Sequence, residues 1–267
     1  MTPPSLPPRR FGRRSMLFGF LALLFVPIAA KAALFSLEER PRNFREASWA
    51  STGSLPDARA HPDARILVMS GRTGGWKGVL AVHSWIVFKR ENADRWTRYD
   101  VVGWGRPLRQ NGWAPDARWY GTAPTVVADL SGAQARALIP KVEAAVKDYR
   151  YAEFGDYRLW PGPNSNSFVA AVLRAVPEMK AVLPPNAIGR DFRPDLHVGW
   201  TDSGTGVEVN LWGFFGARFG WIEGVEINVL GLVVGLDLRN PALKLPAFGL
   251  LSLDLWPQQA GADTPRT

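Results

Sequence analysis

The 267-residue chain contains no cysteine, which excludes disulfides, a thiol nucleophile and thiolate metal sites. The absence leaves the compartment open, because such a chain suits oxidising and reducing surroundings alike. Histidine is nearly as scarce, with only His61, His83 and His197. No His, Asp and Glu cluster has ligand spacing, so neither a metal nor an organic cofactor is expected. Residues 1–32 hold no acid but five cations, Arg9, Arg10, Arg13, Arg14 and Lys31; of the net charge of +8, the rest of the chain carries +3. That remainder is dispersed and forms no basic patch, so no nucleic-acid partner is expected. What the chain does have is 46% apolar and 12% aromatic residues, ample for a packed core.

The four arginines precede Met16 to Ala30, fifteen uncharged and mostly apolar residues broken only by Pro27. Fifteen helical residues span about 22 Å, short of the roughly 30 Å hydrocarbon core, which suits a signal peptide. The apolar run resumes at Ala32 to Phe35, which suits an uncleaved anchor, and Ala30-Lys31-Ala32 fits small-x-small cleavage. Arg13-Arg14-Ser-Met-Leu-Phe loosely resembles a twin-arginine export signal, and a buried hairpin in a soluble protein is a further reading. The expected partner is the cytoplasmic membrane, with everything after Lys31 outside by the positive-inside rule. The expected organisation is a signal peptide or anchor over 1–35, a linker over 36–64, a domain over 65–250 and an irregular tail over 251–267.

Ile66 to Ser70 and Val79 to Lys89 are β-rich runs separated by a turn at Gly71 to Gly75, and Thr97 to Trp104 is a third strand. The turn could hold an anion on its backbone, or be a simple loop. Ser131 and Gln134 form a capping-box pattern for a helix to about Tyr149, kinked at Pro140. A second helix is expected from Ser165 to Ala175, with Phe168, Val169, Val172 and Leu173 on its apolar face and Pro177 as its stop. Gly206-Val-Glu-Val-Asn-Leu-Trp-Gly213 recurs as Gly224-Val-Glu-Ile-Asn-Val-Leu-Gly231. These read as two strands in which Glu208 and Asn210, like Glu226 and Asn228, share a face. That face is either a polar row lining a pocket or the wet side of a half-exposed sheet.

The candidate site begins with Trp160-Pro-Gly-Pro-Asn-Ser-Asn-Ser-Phe168, which breaks the backbone and then starts a helix on small polar residues. Ser165 lands at the helix N-terminus, where free N–H groups and the macrodipole favour developing negative charge. Helix capping alone accounts for Asn and Ser there. His83 sits in the strand Ala-Val-His-Ser-Trp-Ile-Val-Phe, where an imidazole is costly unless its nitrogens are paired. His61, in the linker, and His197, in a polar stretch, are weaker candidates.

A strand histidine followed some eighty residues later by a nucleophile-type residue at a helix start is the layout of a circularly permuted papain-like fold. Asn164-Ser-Asn-Ser-Phe168 resembles the Asn-Cys-Asn-Thr/His-Phe motif of the PPPDE-type peptidases and, more distantly, the Asn-Cys-x-x-Phe of the lecithin:retinol acyltransferase group. The resemblance implies that Ser165 stands where those families have cysteine and that His83 is their strand histidine. It also makes Asp100, in Tyr99-Asp100-Val-Val-Gly103, an orienting or lining residue. His83-Ser-Trp85, Arg118-Trp-Tyr-Gly121, Trp160 to Phe168 and the Glu-Gly-Val-Glu-Ile-Asn run at 223–228 resemble bacterial domain-of-unknown-function family 3750 over most of residues 65–250.

The implied fold is α+β, a permuted papain-like domain with an antiparallel sheet packed on helices, plus an N-terminal membrane segment. The implied activity is a serine-dependent amide or ester hydrolase or acyltransferase in the cell envelope, at the bacterial inner membrane with the domain in the periplasm, or exported if cleaved. Its catalytic residues would be Ser165, His83 and Asp100, and its substrate an envelope peptide or lipid. A serine hydroxyl, unlike a thiol, is not ionised by a nearby imidazolium and needs its proton removed during attack. The alternative is a catalytically silent envelope module that binds a ligand or partner in the same cleft through Trp85, Trp104, Trp119 and Trp160.

Overall fold

The computed structural model describes residues 12–252; Arg9, Arg10 and positions 253–267, most of the expected tail, lie outside the described residues. Helix α1 (Arg13–Ser36) continues through Pro27 and past Lys31. Its 24 residues reach about 36 Å, enough to cross the roughly 30 Å core of a bilayer. The shorter span read from the sequence ended at Lys31, whose ammonium lies 5.5 Å from the Phe248 ring centroid. The chain therefore has one N-terminal apolar helix compatible with a membrane anchor or a signal sequence.

Five antiparallel strands follow: β1 (Arg65–Arg72), β2 (Val82–Lys89), β3 (Thr97–Val101), β4 (Leu108–Gln110) and β5 (Thr125–Ser131), in the order β4-β3-β2-β1-β5. The second strand begins at Val82 rather than at the expected Val79, which ends a short 3-10 turn, Gly75–Val79, and β3 is shorter than the expected Thr97 to Trp104. The helices α2 (Gly132–Lys147) and α3 (Ser165–Ala175) cover one face. There Ile66, Val68, Ile86 and Phe88 of the sheet meet Leu138, Ile139 and Val142 of α2 and Phe168, Val169 and Val172 of α3. Each such burial contributes roughly 1.5–3 kcal/mol. The expected capping box at Ser131 is not formed, because Ser131 is still paired with Arg65 as the last residue of β5 and makes no side-chain cap bond. Pro140 sits inside α2 without ending it.

The opposite face of this sheet exposes Leu67, Met69, Trp85 and Val87 to a second, aromatic cluster closed by Trp49, Trp96, Trp113 and Trp119. Residues 36–64 thus lie against the sheet. They are held there by Asp116, which accepts hydrogen bonds from the Ser51 hydroxyl (2.6 Å) and the Ser54 N–H (2.8 Å).

The last third of the described chain is an antiparallel meander of seven strands: β6 (Leu196–Trp200), β7 (Gly206–Leu211), β8 (Phe215–Gly220), β9 (Gly224–Val229), β10 (Leu232–Asp237), β11 (Ala242–Leu245) and β12 (Gly249–Ser252). The repeated segments are β7 and β9, either side of β8. Their polar row neither lines a roomy pocket nor faces water: Glu208, Asn210, Glu226 and Asn228 are all buried. Arg218 pairs with Asp191 and Glu208, Arg190 with Glu226, Lys244 with Glu226, and Arg193 with Glu208. Burial alone would raise the Glu208 pKa, but the charges of Arg218 and Arg193 and the Asn210 amide outweigh it and bring it to about 2. The apolar partners of the row, Val207, Val209 and Ile227, are exposed instead. α1 packs on this sheet at β10 and β11.

Candidate functional site

The chain enters α3 through two cis peptides, Trp160–Pro161 and Gly162–Pro163, and Asn164 caps the helix. The Asn164 side-chain oxygen accepts from the N–H groups of Asn166 (2.9 Å) and Ser167 (3.0 Å), and its amide donates to the carbonyls of Leu159 (3.0 Å) and Ile188 (3.1 Å). A β-carbon at Gly189, where φ is +95°, would collide with the Asn164 side chain, so glycine is required there. Asn166 donates to the carbonyls of Val82 (2.9 Å) and Ile188 (2.8 Å), and the Ser167 hydroxyl donates to the Gly189 carbonyl (2.7 Å). Three of the four polar residues in Asn-Ser-Asn-Ser therefore lock the helix start to β2 and to the 188–189 loop.

Ser165 differs from its neighbours. It is 5% exposed, and its hydroxyl makes no hydrogen bond among the described residues. The cap is Asn164, which removes the capping explanation for Ser165. Ser165 instead lines a cavity of about 380 Å³ together with His83. The other walls are mostly apolar, including Trp104, Trp119, Tyr157, Trp160 and Leu232. A larger cavity, about 880 Å³, opens between β5, α1 and β11; it contains none of His83, Asp100 and Ser165 and no histidine.

His83 lies on the aromatic side of the sheet with its Nε2 2.8 Å from Asp100 Oδ1. Arg98, two residues before Asp100 on the same face of β3, donates from Nε to Asp100 Oδ2 (2.7 Å) and from Nη2 to Oδ1 (2.8 Å). Burial pushes the Asp100 pKa up, but the bonds from His83 and Arg98 and the guanidinium charge outweigh it, so the carboxylate stays ionised. The ionised acceptor requires His83 to donate from Nε2, which leaves Nδ1 as the nitrogen with a free lone pair. Burial also holds the His83 pKa below its ordinary 6.5; Asp100 opposes this and Arg98 assists it. His83 is accordingly neutral near pH 7, the state in which an imidazole accepts a proton.

The ring of His83 is stacked on Trp119, with centroids 3.7 Å apart and planes 5° from parallel. Gly71 on β1 stands opposite His83 in register, and a β-carbon there would come within 2.8 Å of Trp119 Cβ. Gly71 therefore belongs to β1 and makes room for the stack, rather than opening an anion-binding turn.

The structure brings all three expected site residues to one place: His83 is bonded to Asp100, and His83 and Ser165 share the cavity. His61 and His197 do not join them; His197 contacts the Trp200 carbonyl at 3.1 Å. Arg98 and the stacking role of Trp119 were missed. The Arg-x-Asp spacing on a strand was the available signal for Arg98, because it places both side chains on one face. Among the described residues no group of three or more His, Asp and Glu is placed to hold a metal.

No curated protein and no solved structure matches the chain. Residues 63–192, which carry the five-stranded sheet, α2, α3 and all of His83, Asp100 and Ser165, match the model of a family described as Protein of unknown function (DUF3750).

Proposed function

We propose that this is a cell-envelope acyl hydrolase or acyltransferase, of permuted papain-like arrangement, with serine in the nucleophile position. The observation that carries the reading is the Ser165 hydroxyl, without a hydrogen-bond partner among the described residues in a motif where the Asn164, Asn166 and Ser167 side chains are each bonded, Asn166 through its amide N–H alone, at a cavity shared with a neutral, Asp100-bound histidine. Ser165 Oγ attacks the carbonyl carbon of an ester or amide while His83 Nδ1 takes its proton; His83 then protonates the departing oxygen or nitrogen as the C–O or C–N bond breaks. Water or an acceptor hydroxyl or amine reverses these steps to release the acyl group. Asp100, fixed by Arg98, orients the imidazole and stabilises its cation. Of the first-turn amides, those of Asn166 and Ser167 are taken by Asn164, so the Ser165 N–H is the helix donor open to an oxyanion. Apolar walls suit an acyl or aromatic group, and Leu230 and Leu232 place one wall on the seven-stranded sheet.

A second reading, a ligand-binding module using the same cavity, is favoured by one observation: a serine with a single free helix amide is a weaker acyl-transfer site than a thiolate with a full oxyanion hole. Release of p-nitrophenol from acyl esters of increasing chain length separates the two. The proposal expects turnover by the wild-type chain and a loss of about 10²-fold or more in Ser165→Ala with its fold intact. No turnover by either, with acyl-chain binding retained in both, transfers the cavity to the binding reading.

A further inference from the structure

The seven-stranded sheet has its polarity inverted, and this carries an inference independent of the chemistry at Ser165. The strand register aligns Val198, Val209, Ala217, Ile227 and Val234 in one row across five strands. A second row runs beside it from Leu196 to Leu232, and a third from Trp200 to Leu251. Every residue in the three rows is apolar. The opposite face carries Glu208, Arg218, Glu226 and Lys244, all buried and ion-paired. A half-buried sheet in water shows the reverse, apolar in and polar out.

The apolar face is open over much of its area: Val198 is 71%, Trp200 70% and Phe219 61% exposed. Contiguous apolar surface of this kind marks a membrane or protein contact. Two observations select the occupant. First, α1, uncharged apart from Arg13, Arg14 and Lys31 and long enough to cross a bilayer, packs against β10 and β11 of this sheet, so a membrane that takes α1 also meets the sheet. Val234, the row member on β10, is buried where its row mates are exposed. Second, exposed tryptophans bracket the strands, with Trp212 in the β7–β8 turn and Trp200 and Trp221 toward the other end. Tryptophan favours the level of lipid headgroups. A face without charge, rimmed by tryptophan and continuous with an apolar helix, is complementary to lipid.

We propose that the outer face of the seven-stranded sheet, beside α1, docks on the phospholipid bilayer and immerses its apolar rows at the level of the acyl chains. The cysteine-free sequence makes this directly testable by single-site labelling. The full chain, reconstituted in phosphatidylcholine vesicles, receives an environment-sensitive fluorophore at Val198→Cys, Phe219→Cys or Ile227→Cys, with Arg95→Cys in the β2–β3 turn as the aqueous control. Quenching by doxyl-labelled lipid is then compared. The proposal expects the three face positions to be quenched several-fold more than position 95 and to emit to the blue of it. Face positions that match position 95 overturn it, whether α1 is inserted or the chain fails to hold the vesicle. Face positions shielded from lipid that cross-link between two chains overturn it in favour of a second copy. All three substitutions are at exposed sites, and agreement among them guards against one misfolded variant.

Discussion

Replacing Arg98 by leucine strands a charge in the core of the site. Both Arg98 and Asp100 side chains are 0% exposed, and their two hydrogen bonds are supplemented by one from Arg98 Nη1 to the Ala114 carbonyl at 2.8 Å. The guanidinium also lies 4.1 Å from the Trp85 ring centroid, worth up to about 2 kcal/mol when desolvated. Removing one member of a buried ion pair costs about 3–5 kcal/mol, mostly because the partner charge is left unpaired. We therefore expect Arg98→Leu to lose about 3–5 kcal/mol in urea unfolding followed by tryptophan fluorescence in mild detergent. Arg98→Leu combined with Asp100→Asn removes the stranded charge and is expected to be more stable than Arg98→Leu alone, although the Ala114 carbonyl stays unpaired. The same single variant removes a cation that depresses His83, so the His83 pKa, read from its ring proton resonances, should rise. A loss of less than about 1 kcal/mol for Arg98→Leu, or a double variant as unstable as the sum of the singles, would refute the stranded-charge reasoning.

Ser165→Ala should leave the melting temperature nearly unchanged, because the hydroxyl has no hydrogen-bond partner among the described residues, whereas Asn164→Ala should cost about 1–2 kcal/mol as a lost cap and more from its two donated bonds. Equal destabilisation of the two would show Ser165 to be structural. His83 has a folded pKa below its ordinary 6.5, so the unfolded chain binds more protons between the two values. Stability should thus be full above about pH 6.5 and fall as pH drops below it, and His83→Gln should flatten that limb of the thermal-melt profile. Glu208, at about 2 in the fold against an ordinary 4.5, contributes stability above its unfolded pKa that is lost as pH falls toward 2. Glu208→Gln should reduce the acid dependence below about pH 5, and an unchanged profile would place the acid transition elsewhere.

The helix at the site was legible because its ends are written in local chemistry: Pro-Gly-Pro and Asn164 start it, and Pro177 follows its last turn. The strands β7 and β9 were legible from their repeat. Which of their faces is inside was not, since alternation shows which residues share a face but not which way the face points. The direction is set by Arg190, Asp191 and Arg218, whose pairing with the repeats appears only in three dimensions. Residues 36–64 lack periodicity because, apart from the short 3-10 turn Ala58–Ala60, they follow irregular contacts of Trp49 and the Asp116-bound serines with the sheet. His83 stood out as an imidazole in an apolar strand, whereas Asp100 was pointed to only by the family resemblance. Their bond, the Arg98 clamp and the Trp119 stack arise from the β2–β3 register and from a loop 36 residues beyond His83, which no local pattern encodes.

The proposed function requires Ser165 to be a nucleophile activated by His83. The most direct measurement is the peptide map of the full chain after exposure to a fluorophosphonate, by mass spectrometry. A covalent adduct on Ser165 alone is expected, lost in Ser165→Ala and strongly slowed in His83→Ala. An unmodified Ser165, or modification that proceeds unchanged without His83, would contradict it.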